Sequence, residues 1–181
     1  SPVVASSPYL KNFEANDGSW HPAGKKSSWQ YGTPASVRIN RAASGSKAWK
    51  TSLAGNYNDM EKSYLYSPCF DVTGMTTPTL SFNVALDIED CGGTLCDAVY
   101  VEYSADGITW SRLGTNGAGT NWYNKNYGGN HVWSIEDYTR WHVATIPLPA
   151  ALNRLRLRFV LESDPFTNRE GVAIDDIHIY D

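Results

Sequence analysis

From position 154 to 159 the chain runs Arg154, Leu155, Arg156, Leu157, Arg158, Phe159, a period of two that a helix cannot use. Charges fall on one side and apolar groups on the other, so this strand has one solvated and one buried face, as in antiparallel sheets packed together. Helical periodicity is nearly absent: the best candidate, 148–152, contains Pro149 and is too short for more than a turn. Runs rich in β-branched and aromatic residues recur at 9–14, 28–31, 37–40, 48–53, 63–70, 79–87, 98–104, 109–113, 141–146, 154–162 and 171–180. Asp106-Gly107 between two of them is a hairpin signal, and Gly32-Thr33-Pro34, Gly55-Asn56 and Ser67-Pro68 punctuate others. About eleven strands without a helix predict an all-β, antiparallel β-sandwich of jelly-roll type. The 181 residues suit a single domain spanning the whole chain, 1–181.

The last run poses a problem of its own. Strict alternation puts Ala173, Asp175, Ile177 and Ile179 on one face and Val172, Ile174, Asp176, His178 and Tyr180 on the other. Whichever face is the core, a carboxylate shares it, and a buried carboxylate must be neutralised, hydrogen-bonded or coordinated to a cation. Near the other end of the chain Glu14 follows Phe13, again an acid beside an aromatic. The first and last strands are therefore expected to meet and hold a metal between Glu14 and Asp175 or Asp176. Oxygen ligands without His or Cys favour calcium over zinc. The alternative is that these carboxylates accept backbone hydrogen bonds at strand ends or pair with Arg.

A net charge of −4, with acids and bases mixed, gives no electrostatic case for nucleic acid or an anionic membrane. No apolar run approaches the ~20 residues of a membrane span, and no signal peptide is evident. A start at Ser1-Pro2 without Met predicts a mature or excised fragment of something longer. Cys91 and Cys96 flank four residues, a spacing that suits a disulfide-closed loop worth ~2 kcal/mol and argues for a secreted or cell-surface protein. Cys69 reads as a buried free thiol.

Seven Trp and eleven Tyr exceed what a core of this size needs, so some rings should be exposed for binding. Residues 115–138 break the strand pattern and concentrate rings and amides, and a long irregular loop is usually functional. Trp122, Tyr123, Tyr127 and Trp133 are candidates to stack on sugar rings, with Asn124 bonding hydroxyls; the same rings could instead cap the core. Trp110 reads as an ordinary sheet residue. If 79–87 and 154–162 run the same way, the loops after them gather Asp87, Glu89, Asp90, Asp97, Glu162, Asp164 and Glu170 at one end, as a solvated rim, a second calcium site or a polar ligand site. The four His are scattered, and no Gly-x-Ser-x-Gly, His-Glu-x-x-His or phosphate loop is present. A non-catalytic module is expected.

The order of motifs adds a resemblance over nearly the whole chain. Phe13-Glu14, Ser28-Trp29-Gln30-Tyr31-Gly32, residues 42–53, Tyr64-Leu65-Tyr66-Ser67-Pro68-Cys69-Phe70, Val101-Glu102-Tyr103 and Ala173-Ile174-Asp175-Asp176-Ile177 follow one another. This order resembles the MAM-like jelly-roll modules appended to secreted multidomain proteins of Bacteroidetes-type bacteria. More distantly it is similar to calcium-containing carbohydrate-binding modules. The resemblance implies a structural Ca2+ held by Glu14, the loop Ser44-Gly45-Ser46-Lys47 and Asp175 or Asp176. It also implies partners: a carbohydrate or glycoprotein surface, and neighbouring domains of a larger secreted protein. Two functions follow as expectations, glycan binding or a structural and adhesive contact with protein.

Overall fold

The computed structural model describes residues 4–181. Among them are strands β1 (Val4–Ser6), β2 (Tyr9–Lys11), β3 (His21–Lys25), β4 (Trp29–Gly32), β5 (Ala48–Thr51), β6 (Lys62–Tyr66) and β7 (Cys69–Asp71). They continue with β8 (Thr79–Asp87), β9 (Ala98–Ser104), β10 (Ser111–Arg112), β11 (Lys125–Tyr127), β12 (Asn130–Val132), β13 (Tyr138–Pro147), β14 (Arg154–Glu162) and β15 (Gly171–Tyr180). The described residues contain no helix.

The expected β-sandwich is what forms. In the seven-stranded sheet β14 is the spine, with β9 and then β10 along one edge. Its other edge is shared by β6 and β7, flanked by β3 and β1. The run 63–70, read as one strand, is two: Pro68 has no N–H to donate, and the chain breaks there. The six-stranded sheet runs β13-β8-β15-β5-β4, and β2 pairs with the later half of β15. Between the sheets Phe82 of β8 meets Phe159 of β14 edge-on at 5.0 Å. Fully burying such side chains contributes roughly 1.5–3 kcal/mol each.

The final strand does not alternate straight through. Its register on β8 shifts between Asp175 and His178, and Asp176 takes a φ of 50°. One extra residue changes the parity. Val172 and Ile174 before the bulge and Ile177 and Ile179 after it all reach the core. Ala173 packs instead with Ile39, Ala85 and Trp141. Residues 37–40, expected as a strand, form a bend, because the N–H groups of Arg38 and Ile39 go to the Glu170 carboxylate rather than to a neighbouring strand.

Candidate functional site

The aromatic segment 115–138 closes the sandwich with Trp122, Tyr123 and Trp133 turned into the core, while Tyr127 and Tyr138 stay half-buried. Isolated bridges tie Trp133 to Val99 of β9 and Thr120 to Thr145 of β13, so the segment spans from one sheet to the other. Trp122, Tyr123 and Trp133 are 1%, 5% and 3% exposed. Their polar atoms serve the fold: Trp122 Nε1 donates to Leu113 O at 2.9 Å, Tyr123 Oη to the same oxygen at 2.7 Å, and Trp133 Nε1 to Asn121 O at 3.2 Å. At Gly114, with φ 75°, any side chain would collide with Ile146 and Trp122. The Asn124 amide is taken up by Ser134 N and O, and Tyr127 Oη donates to Gly92 O. Of the five residues expected to meet a ligand, Trp122, Tyr123 and Trp133 thus lie in the core, while Asn124 and Tyr127 are half-buried. Tyr123, Asn124 and Trp133 do line a cavity of about 190 Å³, together with Asn121, Tyr138 and His142. That is smaller than the roughly 300–1,000 Å³ of ligand pockets.

Further partly covered rings lie on the outer face of the seven-stranded sheet. Register places Glu102, Arg158, Tyr66 and His21 directly opposite one another on β9, β14, β6 and β3, a single row across four strands. His21 stacks on Tyr66 with centroids 5.4 Å apart and planes at 17°, and Tyr64 and Trp110 flank Tyr66 at 5.7 and 5.6 Å. The Arg158 guanidinium is wedged among these rings, 4.4 Å from the Tyr64 centroid and 4.3 Å from that of Trp110. It is tethered to Glu102 by Nε at 2.8 Å and Nη2 at 2.7 Å, and Nη1 donates to Tyr66 Oη at 3.1 Å. Farther along the same face Arg112 covers the Tyr100 ring at 3.6 Å, while Tyr100 Oη donates to Glu162 at 2.6 Å and Lys62 pairs with Glu162.

Tyr64, Tyr66 and Trp110 are only partly covered and His21 is exposed. Flat apolar faces edged by hydroxyl, imidazole and guanidinium groups match a sugar ring, apolar on its faces and polar at its rim. Trp110, expected as an ordinary sheet residue, packs edge-on against Tyr66 at the side of this row. The signal that could have found the platform was the alternation itself, which sets Tyr64 and Tyr66 on the same side as Arg156 and Arg158.

The residues expected to hold calcium do gather, around the 43–47 loop. Glu14 accepts the N–H groups of Ser46, at 2.9 and 3.0 Å to its two oxygens, and of Lys47 at 2.8 Å. These backbone bonds, Lys47's first, hold its carboxyl below the usual range. Gly45 sits at φ 57°, where a Cβ would overlap the Glu14 carboxyl group. Asp175 is fully buried and accepts Ala43 N at 3.0 Å, Ser44 N at 3.2 Å and Asp176 N at 2.8 Å. Burial pushes it up to about 7. Asp176 accepts Ser44 Oγ at 2.7 Å and Asn83 Nδ2 at 3.0 Å.

Every partner here is an N–H or O–H donor. The loop turns its amides toward the carboxylates, as in the hydrogen-bonded alternative, and Lys47 contributes its backbone. Glu14, Ser44, Lys47, Asp175 and Asp176 thus gather at one loop, with the carboxylates hydrogen-bonded to its donors.

The acidic residues expected at one end separate into roles. Asp87 accepts Arg169 Nε at 2.7 Å and Glu170 N at 3.3 Å, Asp90 pairs with Lys125 at 3.2 Å, and Glu162 belongs to the outer face. Glu89, Asp97 and Asp164 converge, with oxygens within 4.8 Å of one another. Asp97 is fully buried, accepts Tyr57 Oη at 2.6 Å and Asp164 N at 2.8 Å, and burial raises it to about 6. Glu89 is raised too, by burial first and then by Asp97. Its Oε2 is buried without a partner. Its Oε1 lies 3.2 Å from Cys91 Sγ, which has no proton to give, because Cys91 is bonded to Cys96 as expected. Lys50, also fully buried, donates to the carbonyls of Thr51, Ser52 and Glu170 at 2.9, 2.9 and 2.7 Å.

The fold is a β-sandwich like that of carbohydrate-binding modules and gingipain adhesin domains. Among solved structures, TmCBM61 in complex with β-1,4-galactotriose is similar at a TM-score of 0.56 and 14% identity, with 94% of each chain covered. The K1 cleaved adhesin domain of Lys-gingipain from Porphyromonas gingivalis W83 gives 0.55 and 15%, covering 94% of this chain and 96% of that one. A family 6 carbohydrate-binding module gives 0.52 and 13%, covering 99% and 98%. At such identities the likeness establishes the fold alone. In sequence the chain is 29% identical over 175 residues to bacillopeptidase F of Bacillus subtilis (strain 168), covering 96% of this chain and 11% of that protein. The chain thus spans about a tenth of the length of this curated relative. No family model matches.

Proposed function

We propose that this chain is a non-catalytic module of a secreted or cell-surface protein, and that it binds carbohydrate chains on the outer face of its seven-stranded sheet. The observation that carries the reading is the row Glu102–Arg158–Tyr66–His21 with Tyr64 and Trp110 beside it, rings kept out of the core and fixed by a guanidinium. A glycan array identifies the ligand, and Tyr66→Ala and Trp110→Ala test the face. Each should lower affinity at least about tenfold with little change in melting temperature. Trp122→Ala should do the reverse, costing ~3–5 kcal/mol of stability. Full retention of binding by both platform variants would refute the assignment.

The adhesive reading, contact with a protein surface or with neighbouring domains, draws on the likeness to a gingipain adhesin domain. It predicts capture of deglycosylated partner protein, which the first reading does not. Calcium also belongs to the proposal, at the acidic end expected as a second site. Glu89, Asp97 and Asp164 support it there, with oxygens within 4.8 Å of one another and Glu89 Oε2 buried without a donor. A melting temperature unchanged by chelator after full exchange would remove calcium from the reading.

A further inference from the structure

A cleft of about 430 Å³ opens on the other sheet, lined by Arg38, Ile39, Asn40, Arg41 and by Thr139, Arg140 and Trp141. Its volume falls within the roughly 300–1,000 Å³ of small-molecule sites. Two elements build it. Residues 38–41 are held in place because Glu170 takes the N–H groups of Arg38 and Ile39. Opposite them, the register of β13 on β8 shifts between Tyr138 and His142, and this irregularity carries Thr139, Arg140 and Trp141. The Trp141 ring packs on Ile39, Ala85 and Ala173, and its Nε1 donates to Arg41 O at 3.0 Å. It is half-buried, so it offers a fixed apolar wall whose own donor is already used.

The charges in this cleft are uneven. Arg38 pairs with Asp137. Arg41 and Arg140 are exposed, and neither forms an ion pair among the described residues. In a chain of net charge −4, two unneutralised guanidinia beside a tryptophan are a local feature and not a reflection of overall basicity. Guanidinium forks bind carboxylate and sulfate oxygens in pairs, and a fixed indole takes the apolar face of a sugar ring. Thr139 and Asn40 supply hydroxyl and amide groups for its hydroxyls.

We infer that the 38–41/139–141 cleft is a second glycan site, selective for a saccharide unit bearing a carboxylate or a sulfate. It is separate from the platform on the opposite sheet and stands or falls without it. The test titrates the protein with trigalacturonate, with a sulfated heparin disaccharide, and with neutral galactotriose. The wild type should bind at least one acidic saccharide, more weakly as salt rises, and should prefer it to the neutral one. Arg41→Gln/Arg140→Gln should weaken that binding at least about tenfold. Lys25→Gln/Lys26→Gln, which removes two charges elsewhere, should leave it unchanged. The preferred acidic probe identifies the oxyanion. Binding of neither acidic saccharide, equal losses in the two double variants, or inorganic sulfate bound as tightly as the saccharide would overturn the assignment.

Discussion

Replacing Lys50 with Met tests whether a buried ammonium holds the acidic end of the sandwich together. The side chain is fully buried, and its three short bonds are to main-chain carbonyls of Thr51, Ser52 and Glu170. Methionine fills similar space but donates nothing, so three carbonyls lose a charged hydrogen bond, at roughly 1.5–3 kcal/mol each, while Glu170 O and Ser52 O keep longer bonds from Thr51 Oγ1 and Gly55 N. Against that stands the relief of burying a charge. Burial lowers Lys50 from 10.5 to about 8, opposed by the Glu170 and Asp87 carboxylates, and undoing this shift returns about 3 kcal/mol. With ~6 kcal/mol lost and ~3 recovered, the variant should be less stable by ~3 kcal/mol.

Urea unfolding at pH 7 measures this as a lower midpoint at unchanged slope. The pH dependence gives a second check. A lysine whose folded pKa lies below its unfolded one makes the native state bind fewer protons between the two, so wild-type stability gains from rising pH between about 8 and 10.5. The gap between wild type and Lys50→Met should widen over that range. A variant as stable as wild type at pH 7 would show that the carbonyls find other donors, and would refute the reasoning.

Three further outcomes are expected. Cys91→Ser/Cys96→Ser should lose about 2 kcal/mol through the freed loop, while buried Cys69 alkylates slowly in the native wild type; two readily alkylated thiols in wild type would count against this. In protein stripped by chelator, Asp97 and Asp175, raised to about 6 and about 7, bind protons in the folded state that the unfolded chain, near 3.9, does not hold, so their contribution to stability should grow as pH falls from 8 to 5. Asp175→Asn should flatten that dependence, as followed by melting temperature against pH. Gly45→Ala, forced into the left-handed region against Glu14, should cost at least ~1–2 kcal/mol in chemical unfolding.

The long strands were legible because their pattern is strong. Residues 79–87, 98–104, 154–162 and 171–180 have the bounds that alternation and turn residues suggest. What failed was what local pattern does not encode. The bulge at Asp175 and Asp176 depends on pairing with β8, and it alone decides which side chains of β15 face inward. Strand β3 contains Pro22 and Gly24 and has little strand character, yet β6 recruits it to a sheet edge. Aromatic content announced a binding surface but not its address, because a ring in an irregular segment and a ring on a solvated strand face look alike in composition. Cross-strand register brought Tyr66, Arg158 and Glu102 together, and register is a long-range property.

The wedge of Arg158 has a consequence for how the outer face can change over time and between ligands. With rings at 4.3 and 4.4 Å and its nitrogens engaged by Glu102 and Tyr66, the guanidinium leaves little rotamer freedom at the centre of the platform. Under the proposed glycan reading, the ordering cost of binding is met when the chain folds, which favours one shape of ligand over many. Affinity here is vulnerable to loosening as well as to deletion. Glu102 holds Arg158 through a single oxygen, Oε1, and a substitution there would free the guanidinium and let the rings drift apart. Divergence at that position would change what the face selects before any ring was replaced.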